Sequence, residues 1–302
     1  MVAPRVFDWK DLSTVIGSGS KVVFFLDYDG TLVPIRKNPD ACVLSIRTRE
    51  LLKRLSVSGK CYPVIISGRS LSNVRKMAGV RGICYVGNHG FDIAGTGIRY
   101  THAAAAKARP ALLEVKRLLK RKIRNITGAF IEDKKFSISL HYRTVDEKAI
   151  PSVFKCFDEV AAPFINKKKL AFIKGKMVLE MVPYASWNKG YAVLWLLEYL
   201  GSDFFPIYAG DDTTDETAFN ALKKIGITIK VGKSNKTSAS YRIEKQVDLI
   251  KMLEKIQNNL RVLTSTGASK YRKCSQDNEK SLCKTFKNFR AQISGIGTSF
   301  FS

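Results

Sequence analysis

Two acid-rich segments of this sequence have the spacing of a catalytic or metal-binding site. The first is Asp27-Tyr28-Asp29-Gly30, where two carboxylates two residues apart follow the apolar run 22–26 and precede a glycine. At the end of a buried strand, one carboxylate of such a pair can attack as a nucleophile while the other donates and recovers a proton. Because two acids so close repel each other, we expect a hard cation to share the site.

The second acid-rich segment, GDDTTDE (210–216), supplies further oxygen ligands for such a cation. Its carboxylates Asp211, Asp212 and Asp215 follow another apolar run, 204–209. A single Asp-x-Asp-Gly is also typical of an ordinary turn. Two acid-rich loops after two separate buried strands indicate one shared site instead.

Two further segments have groups that suit a phosphoryl ligand. Ser67-Gly68-Arg69 follows a predicted strand and offers a hydroxyl and helix-initiating N–H groups for phosphate oxygens. Lys189, ahead of a predicted helix, could place a positive charge on the phosphate and on the charge that develops in the transition state. Taken alone, each is equally consistent with an ordinary turn or a surface lysine, so their order along the chain carries the interpretation.

The elements that must position these residues alternate between strand and helix. Apolar runs predict strands at 21–30, 61–67, 82–88, 204–210 and 227–232, and helical periodicity predicts helices at 47–55, 71–78, 191–200 and 216–225. Such alternation implies right-handed crossovers and an α/β fold with a doubly wound parallel sheet. Ligands bind at the carboxyl ends of the strands in these folds, which is where the polar segments fall.

The pattern changes between about 100 and 185. We predict an amphipathic helix at 105–124, a hairpin at 129–143, a second helix at 145–161, and a hairpin at 170–183 that turns at Lys174-Gly175. These elements form a small α+β unit, here called the cap, which we expect to act as a lid over the site. The predicted domains are therefore a core of 1–100 and 185–260, an inserted cap of 101–184, and a basic, flexible extension of 261–302.

Composition bounds the function classes. The 302 residues carry 51 Lys and Arg against 26 Asp and Glu, a net charge of +25, and 45% are hydrophobic, which excludes a disordered chain. The charge suggests nucleic acid, an anionic lipid or a phosphorylated small molecule as ligand. Residues 183–260, however, carry ten basic and nine acidic residues, because the carboxylates concentrate there. We interpret the basic face of the helix at 107–124 as a solvated surface.

Targeting signals and the spacing of the cysteines indicate the cellular compartment. No apolar stretch approaches the roughly 20 residues that cross a bilayer, and the start MVAPRVFDWK lacks a signal-peptide apolar region, so we expect a cytoplasmic protein. The six cysteines form no CxxC pair. We expect Cys42, Cys61 and Cys84 to be buried free thiols, and Cys274 and Cys283 to be exposed ones.

Taken together, the motifs resemble a known group of enzymes. FLDYDGTL (25–32), ISGR (66–69), Lys189 and GDDTTDE resemble the four motifs of the haloacid dehalogenase (HAD) superfamily of phosphohydrolases. Four longer segments narrow the resemblance to the trehalose-6-phosphate phosphatase family: GNHGFDI (87–93), GAFIEDKKFSISLHYR (128–143), GKMVLEMVP (175–183) and GDDTTDE again. The resemblance covers roughly residues 20–255.

This resemblance implies a HAD-like, Rossmann-like core with an inserted cap, and a Mg²⁺-dependent phosphatase. Asp27 would form an aspartyl-phosphate, and Asp29 would protonate the leaving sugar oxygen and then activate water. Mg²⁺ would be held by the side chains of Asp27 and Asp211 and the main-chain carbonyl of Asp29, with Asp212 and Asp215 orienting these ligands. Ser67, Gly68 and Lys189 would bind the transferring phosphoryl group.

Substrate choice would lie mainly in the cap. The family pattern implies sugar contacts from Asn88, His89, Glu132, Lys134, His141, Arg143, Lys176 and Glu180. Each of these is also explained as a cap-surface ion pair or a satisfied hairpin residue. Asn188 departs from the pattern, because relatives often have Asp before the Lys-Gly pair. The implied substrate is trehalose 6-phosphate, and the pathway implies a trehalose-6-phosphate synthase in the same cell.

Two alternatives stay open from the sequence. A relative with the same core could act on another sugar phosphate, such as sucrose or mannosylglycerate phosphate, and only the cap would separate the two activities. A nucleic-acid or anionic-surface binding protein on a phosphatase scaffold would explain the charge and predicts salt-dependent binding that ignores Asp27. We do not expect a nucleic-acid partner, because the tail has no Arg-Gly repeats and only isolated aromatics. We do not expect a membrane partner either, because the apolar stretches are too short to cross a bilayer.

Overall fold

The computed structural model describes residues 4–8, 21–36 and 38–265. Its strands are β1 (Arg5–Val6), β2 (Lys21–Asp27), β3 (Cys61–Ile66), β4 (Cys84–Gly87), β5 (Asp92–Gly95), β6 (Ile98–Thr101), β7 (Phe130–Asp133), β8 (Ile138–His141), β9 (Leu170–Gly175), β10 (Val178–Pro183), β11 (Phe204–Gly210), β12 (Ile227–Val231) and β13 (Tyr241–Ile243). Its α-helices are α1 (Ile46–Ser56), α2 (Leu71–Ala78), α3 (Ala103–Lys122), α4 (Ile150–Asn166), α5 (Lys189–Leu200), α6 (Glu216–Leu222) and α7 (Gln246–Ser265).

Nine strands form one sheet in the order β1-β13-β12-β11-β2-β3-β4-β5-β6. The first seven in this order are mutually parallel, and β5 and β6 add an antiparallel hairpin at one edge. Strand β2 lies near the centre, and its residues Val22 to Leu26 are all buried because helices cover both faces of the sheet. The predicted doubly wound α/β fold is confirmed.

Side chains of β2 alternate between the two layers of helices. Phe24 belongs to the apolar cluster that includes side chains of α1, α2 and α7, whereas Phe25 belongs to the cluster with α5 and α6. This alternation follows from the period of two along a strand. It fixes β2 rigidly, so the residue at its carboxyl end has a defined position.

The strand order brings the predicted polar segments together. Both β11 and β3 are hydrogen-bonded neighbours of β2, with Ala209 paired to Leu26 and Ile66 paired to Asp27. The loops that begin at Ser67 and Asp211 therefore leave the same edge of the sheet as Asp27. This places the three motifs around one point at the carboxyl edge.

The other four strands form a separate antiparallel sheet in the order β7-β8-β10-β9. Helices α3 and α4 pack on one face of it, and the apolar face of α3, including Leu112, Val115 and Leu119, is fully buried there. Side chains from both helices and from this sheet form an apolar cluster of their own, which includes the buried Phe157. The chain enters this unit after β6 and leaves it before α5.

Several element boundaries differ from the prediction. The second cap hairpin turns at Lys176-Met177, not at Lys174-Gly175, because Gly175 pairs with Val178 and Met177 takes a left-handed conformation with φ of 63°. Helix α4 begins at Ile150 rather than at 145, since Pro151 suits only its first turn. The prediction also missed the β5–β6 hairpin, whose strands are four residues each.

The boundary predicted at residue 261 lies within helix α7. Helix α7 packs on the core sheet and continues to Ser265, so the first five residues of the predicted extension 261–302 are helical. Residues 266–302, including Cys274 and Cys283, lie outside the described part of the chain. Cys42, Cys61 and Cys84 are buried and free, as predicted. Among the described helices, none has the length and apolar character needed to cross a membrane.

Candidate active site

The centre of the site is a lysine held between two buried carboxylates. Asp27 ends β2, and Lys189 begins α5, where the side chain of Asn188 caps the helix by accepting a hydrogen bond from the Tyr191 N–H. Lys189 Nζ lies 2.7 Å from Asp27 Oδ1 and 2.8 Å from Asp215 Oδ1. The single positive charge of Lys189 thus offsets one of the two negative charges of Asp27 and Asp215. The asparagine that departs from the family pattern serves as a helix cap.

Burial and charge shift the pKa values of these three groups in different directions. Burial, reinforced by the neighbouring Asp215, raises the pKa of Asp27 well above its usual value. Burial alone would lower the pKa of Lys189, but the carboxylates of Asp215 and Asp27 outweigh it and raise that pKa. Burial would likewise raise the pKa of Asp215, yet Lys189 holds it below its usual value. Lys189 therefore stays charged while buried.

Both carboxylate oxygens of Asp215 accept hydrogen bonds from neighbouring residues. Its Oδ1 also accepts a hydrogen bond from the Tyr208 hydroxyl at 2.7 Å, and its Oδ2 accepts one from the Asp212 main-chain N–H at 2.9 Å. Both carboxylate oxygens thus serve to orient Lys189 and the 211–215 loop. Tyr208, on the buried strand β11, was not singled out by the sequence; the only signal was a tyrosine in an otherwise apolar run.

Three carboxylates form a candidate cation site. One oxygen each from Asp27, Asp211 and Asp215 lie within 4.8 Å of one another. Among the described residues, Asp27 Oδ2 and Asp211 Oδ1 are buried and have no hydrogen-bond partner. A hard cation is the natural partner for two such oxygens, and it would also reduce the burial penalty on Asp27. Asp27 and Asp211 therefore fit the role of ligands better than the fully bonded Asp215.

The loop after β2 passes very close to the Asp211 carboxylate. Gly30 has φ of 92°, and a Cβ placed there would lie 2.1 Å from Asp211 Oδ2. Only glycine allows this loop to approach the Asp211 carboxylate so closely. The other oxygen ligand expected from the sequence, the main-chain carbonyl of Asp29, belongs to the adjacent residue of this loop.

The Asp29 carboxylate is held by Arg69, which the sequence indicated only as part of the Ser67-Gly68-Arg69 motif. Arg69 binds it with two hydrogen bonds, from Nε at 2.6 Å and from Nη2 at 2.7 Å. Arg69 itself is buried and follows Ser67 and Gly68 in the loop after β3. The two residues lie together on the cleft wall. A bidentate pair of this kind fixes the orientation of a carboxylate as well as its position.

The loop after β3 has tight local geometry. Ser67 Oγ accepts a hydrogen bond from the Arg69 main-chain N–H at 3.1 Å. A Cβ at residue 68 would lie 2.5 Å from the His89 ring, so this position requires glycine. Ser67 and Gly68 both line the cleft, and they lie just before the N-terminus of α2. Their hydroxyl and main-chain groups could bind an anion placed against Asp27.

A buried polar network joins the cap to the core. Glu180 of β10 accepts hydrogen bonds from Lys134 Nζ at 3.1 Å and from the Ser137 hydroxyl, and it contacts His89 Nε2 at 3.2 Å. Burial would raise the pKa of Glu180, but Lys134 and His89 outweigh it and hold that pKa below its usual value. The core residue Asn88 accepts from the Ser137 hydroxyl at 3.3 Å. Cap and core thus share one charged network.

The opposite end of the cap sheet reaches the cation site. Lys176, in the β9–β10 turn, places Nζ 2.6 Å from Asp211 Oδ2, and its carbonyl accepts a hydrogen bond from Arg143 Nη2 at 2.8 Å. Lys176 therefore contacts a candidate metal ligand across the cleft.

A second pair on the cap sheet joins a histidine and a carboxylate. His141 Nε2 lies 2.8 Å from Glu132 Oε2. Burial would raise the pKa of Glu132, but its hydrogen bond with His141 lowers that pKa.

The cleft between the two sheets is open to solvent and has a cavity volume of about 200 Å³. Fourteen of the sequence-predicted site residues line it: Asp27, Asp29, Ser67, Gly68, His89, Glu132, Lys134, His141, Arg143, Lys176, Glu180, Lys189, Asp211 and Asp212. The remaining two, Asn88 and Asp215, are 2% and 0% exposed and lie behind its wall. The expected contact between Asn88 and substrate stays a prediction; in this structure Asn88 Oδ1 accepts a hydrogen bond from the Ser137 hydroxyl.

Comparison with known proteins gives a consistent result. A family model described as trehalose-phosphatase matches residues 25–247. Trehalose-phosphate phosphatase B of Arabidopsis thaliana is 37% identical over 269 residues, which cover 84% of this chain and 71% of that protein. Trehalose 6-phosphate phosphatase RA3 of Zea mays is 36% identical over 261 residues, which cover 80% of this chain and 71% of that protein.

A solved structure agrees with these sequence matches. The C-terminal domain of the C. albicans trehalose-6-phosphate phosphatase superposes with a TM-score of 0.74 at 25% sequence identity, covering 85% of this chain and 99% of that one. The covered share is larger than the core alone, so the similarity includes residues of the cap.

Proposed function

Because this chain belongs to the trehalose-phosphatase family, we propose that it hydrolyses trehalose 6-phosphate to trehalose and inorganic phosphate. It is a phosphoric monoester hydrolase of the HAD superfamily. One observation carries the proposal: the buried Asp27 has one oxygen held by Lys189 and the other without a partner among the described residues, facing a cleft roofed by polar cap residues. That is the arrangement of an oriented nucleophile.

Asp27 is the nucleophile in this proposal. Its Oδ2 attacks phosphorus, the bond from phosphorus to the sugar oxygen breaks, and an aspartyl-phosphate forms. Water then attacks phosphorus, phosphate is released and the Asp27 carboxylate is restored. Lys189 keeps Asp27 aligned through Oδ1 and places a positive charge beside the phosphoryl group.

Asp29 moves the protons of this reaction. It gives a proton to the departing sugar oxygen in the first step and takes one from the attacking water in the second, so the cycle balances. Arg69 acts as its positioning residue through the bidentate pair. Ser67 and Gly68 bind the phosphoryl oxygens from the side of α2, a role that their position on the cleft wall supports.

We propose Mg²⁺ as the cation. Asp27, Asp211 and the main-chain carbonyl of Asp29 would hold it. The close grouping of the Asp27, Asp211 and Asp215 carboxylates and the unpartnered Asp211 Oδ1 support this assignment. When bound, the ion would supply charge neutralisation for the phosphoryl oxygens. Asp215 and the Asp212 main chain orient the loop that presents Asp211.

The cap supplies sugar recognition in this proposal. Charged and polar side chains on the cleft face of the cap can accept and donate hydrogen bonds to sugar hydroxyls, and the core residue His89 lies beside them. The cap residues are Glu132, Lys134, His141, Arg143, Lys176 and Glu180. We divide the chain accordingly into core residues 1–100 and 185–260 and cap residues 101–184. The cytoplasmic location and the link to a trehalose-6-phosphate synthase stay predictions.

The proposal is tested by phosphate release from a panel of sugar phosphates. We expect trehalose 6-phosphate to give a higher kcat/KM than sucrose 6-phosphate, mannosylglycerate phosphate or glucose 6-phosphate. Asp27→Asn keeps the size of the side chain and removes the nucleophile, so turnover should be lost. A preference for another panel member would refute the substrate, and turnover by the Asp27→Asn variant would refute the mechanism.

A further inference from the structure

The face of the cap sheet that looks into the cleft is divided into two rows of side chains. Strand register pairs Phe130 with His141, His141 with Val178, and Val178 with Gly175, which makes one row across all four strands. All four of these residues line the cleft. The row therefore presents an aromatic ring, an imidazole, a valine and an open position over a glycine.

The neighbouring row on the same face is acidic. Register pairs Glu132 with Ser139, Ser139 with Glu180, and Glu180 with Ile173. Because side chains two residues apart along a strand share a face, this row lies directly beside the first. The cap thus offers an apolar strip next to a strip of hydrogen-bond acceptors.

Phe130 is the unusual member of this surface. Its side chain is 48% exposed, although it lies on the wall of a cleft that is otherwise lined mostly by charged and polar groups. A large aromatic ring that is exposed in a cleft has apolar surface in contact with water, and a ligand that covers this surface gains binding free energy from the hydrophobic effect. The ring is not part of the apolar cluster on the helix-covered face of the sheet.

The ring is also held in a fixed orientation. Phe130 and His141 are stacked, with ring centroids 4.5 Å apart and planes at 8°. His141 is itself anchored by Glu132, at 2.8 Å from Nε2 to Oε2. A preorganised ring binds a flat apolar surface at less entropic cost than a free one.

We propose that Phe130, supported by His141, is a stacking platform for the sugar ring of the substrate that does not carry phosphate. The inference rests on the proposed function. A glucopyranose ring carries its hydroxyls around its edge and C–H bonds on its faces, so it needs an apolar surface beside acceptors. The phosphoryl group must lie against Asp27 on the core wall, which leaves the distal ring to meet the cap.

The test compares Phe130→Ala with a matched control, Phe172→Ala. Phe172 is 42% exposed and belongs to the same sheet, but it packs against Phe157 on the helix-covered side, with ring centroids 5.2 Å apart. For Phe130→Ala we expect KM for trehalose 6-phosphate to rise about three- to tenfold, the size of one aromatic stacking contact, with kcat changed less than about twofold. Phe172→Ala should leave KM unchanged.

Two ligands locate the effect. The inhibition constant of trehalose, which has rings and no phosphate, should rise with KM in Phe130→Ala. The inhibition constant of orthovanadate, which mimics phosphate and has no ring, should stay the same. Phe130→Tyr should keep the wild-type KM because it retains the aromatic face. Circular dichroism and thermal unfolding check that each variant is folded.

An unchanged KM and an unchanged trehalose inhibition constant in a folded Phe130→Ala variant would overturn the proposal. An equal rise in Phe172→Ala would also overturn it, since the cause would then be cap packing. Failure of the proposed function is a separate result, because the wild-type enzyme would then release no phosphate from trehalose 6-phosphate before any variant is compared.

Discussion

Arg69 donates two parallel hydrogen bonds to the Asp29 carboxylate, from Nε to Oδ2 at 2.6 Å and from Nη2 to Oδ1 at 2.7 Å. The guanidinium is tied down in turn, because Nη1 donates to Asn73 Oδ1 at 2.9 Å and Nη2 donates to the Pro39 carbonyl at 3.0 Å. Four hydrogen bonds from one side chain leave Asp29 little freedom to rotate. The residue proposed to move protons is therefore positioned by the loop that follows the neighbouring strand β3.

Replacing Arg69 by Gln should lower kcat about tenfold or more, with a smaller change in KM, because a misplaced proton donor affects the chemical step most. Arg69→Lys should recover part of the loss, since lysine keeps the charge and not the two-point contact. Steady-state kinetics with trehalose 6-phosphate measure both constants. Arg75→Gln, which removes an arginine whose guanidinium lies over the Tyr85 ring away from Asp29, is the control. Equal kinetics for wild type and Arg69→Gln would exclude the positioning role.

Lys189→Met should both abolish turnover and destabilise the fold. Removing the ammonium leaves Asp27 and Asp215 as buried acids without their shared partner. Breaking a buried ion pair in this way costs about 3–5 kcal/mol. Urea unfolding measures the loss, and Lys223→Met, at an exposed lysine of the same domain, should change stability little. A Lys189→Met protein as stable as the control would contradict the assigned electrostatic role.

Glu180→Gln tests the pH dependence of the cap-to-core network. The pKa of Glu180 is lowered in the folded protein despite burial, chiefly by Lys134 and His89. A depressed folded-state pKa adds stability above the unfolded value of about 4.3 and loses it as pH falls below that value. We expect Glu180→Gln to be less stable than wild type by about 1–3 kcal/mol at pH 7, because a charged hydrogen-bond partner is lost.

The gap between the two proteins should narrow as pH falls below about 4.3, because Glu180 of the unfolded wild-type chain then binds a proton while folded Glu180, with its lowered pKa, does not. Thermal unfolding at a series of pH values measures it. Glu159→Gln, at an exposed cap carboxylate paired with Lys122, should track wild type throughout. A gap that is constant with pH would show that the charge of Glu180 does not contribute.

Asp211→Asn should raise the Mg²⁺ concentration needed for half-maximal activity by about tenfold or more, because an amide is a weaker ligand than a carboxylate. Chelation should remove wild-type activity, and added Mg²⁺ should restore it. Asp203→Asn, at an exposed loop residue, controls for the loss of one negative charge. An Asp211→Asn variant with wild-type Mg²⁺ dependence would contradict the assigned ligand.

Local patterns in the sequence were sufficient to predict the core strands. Runs such as 22–26 and 204–209 are apolar because both faces of a central parallel strand are covered, and this holds wherever the strand lies in the sheet. The acids that follow these runs could be placed at a common edge because the carboxyl ends of parallel strands lie at the same edge of a sheet. Turn positions were harder, since the β9–β10 turn depends on the pairing of Gly175 with Val178 rather than on the Lys174-Gly175 composition.

Sequence by itself determined which residue types lie at the ends of strands, and through them a phosphatase-like chemistry. Tertiary structure decided the partners: Arg69 for Asp29, forty residues apart, and Lys189 for Asp27, 162 residues apart. It also decided that Phe130 faces the cleft, because a strand residue has two possible faces and only the register with β8 selects one. Residue types and local spacing act within a few residues along the chain, whereas these contacts depend on how whole elements pack.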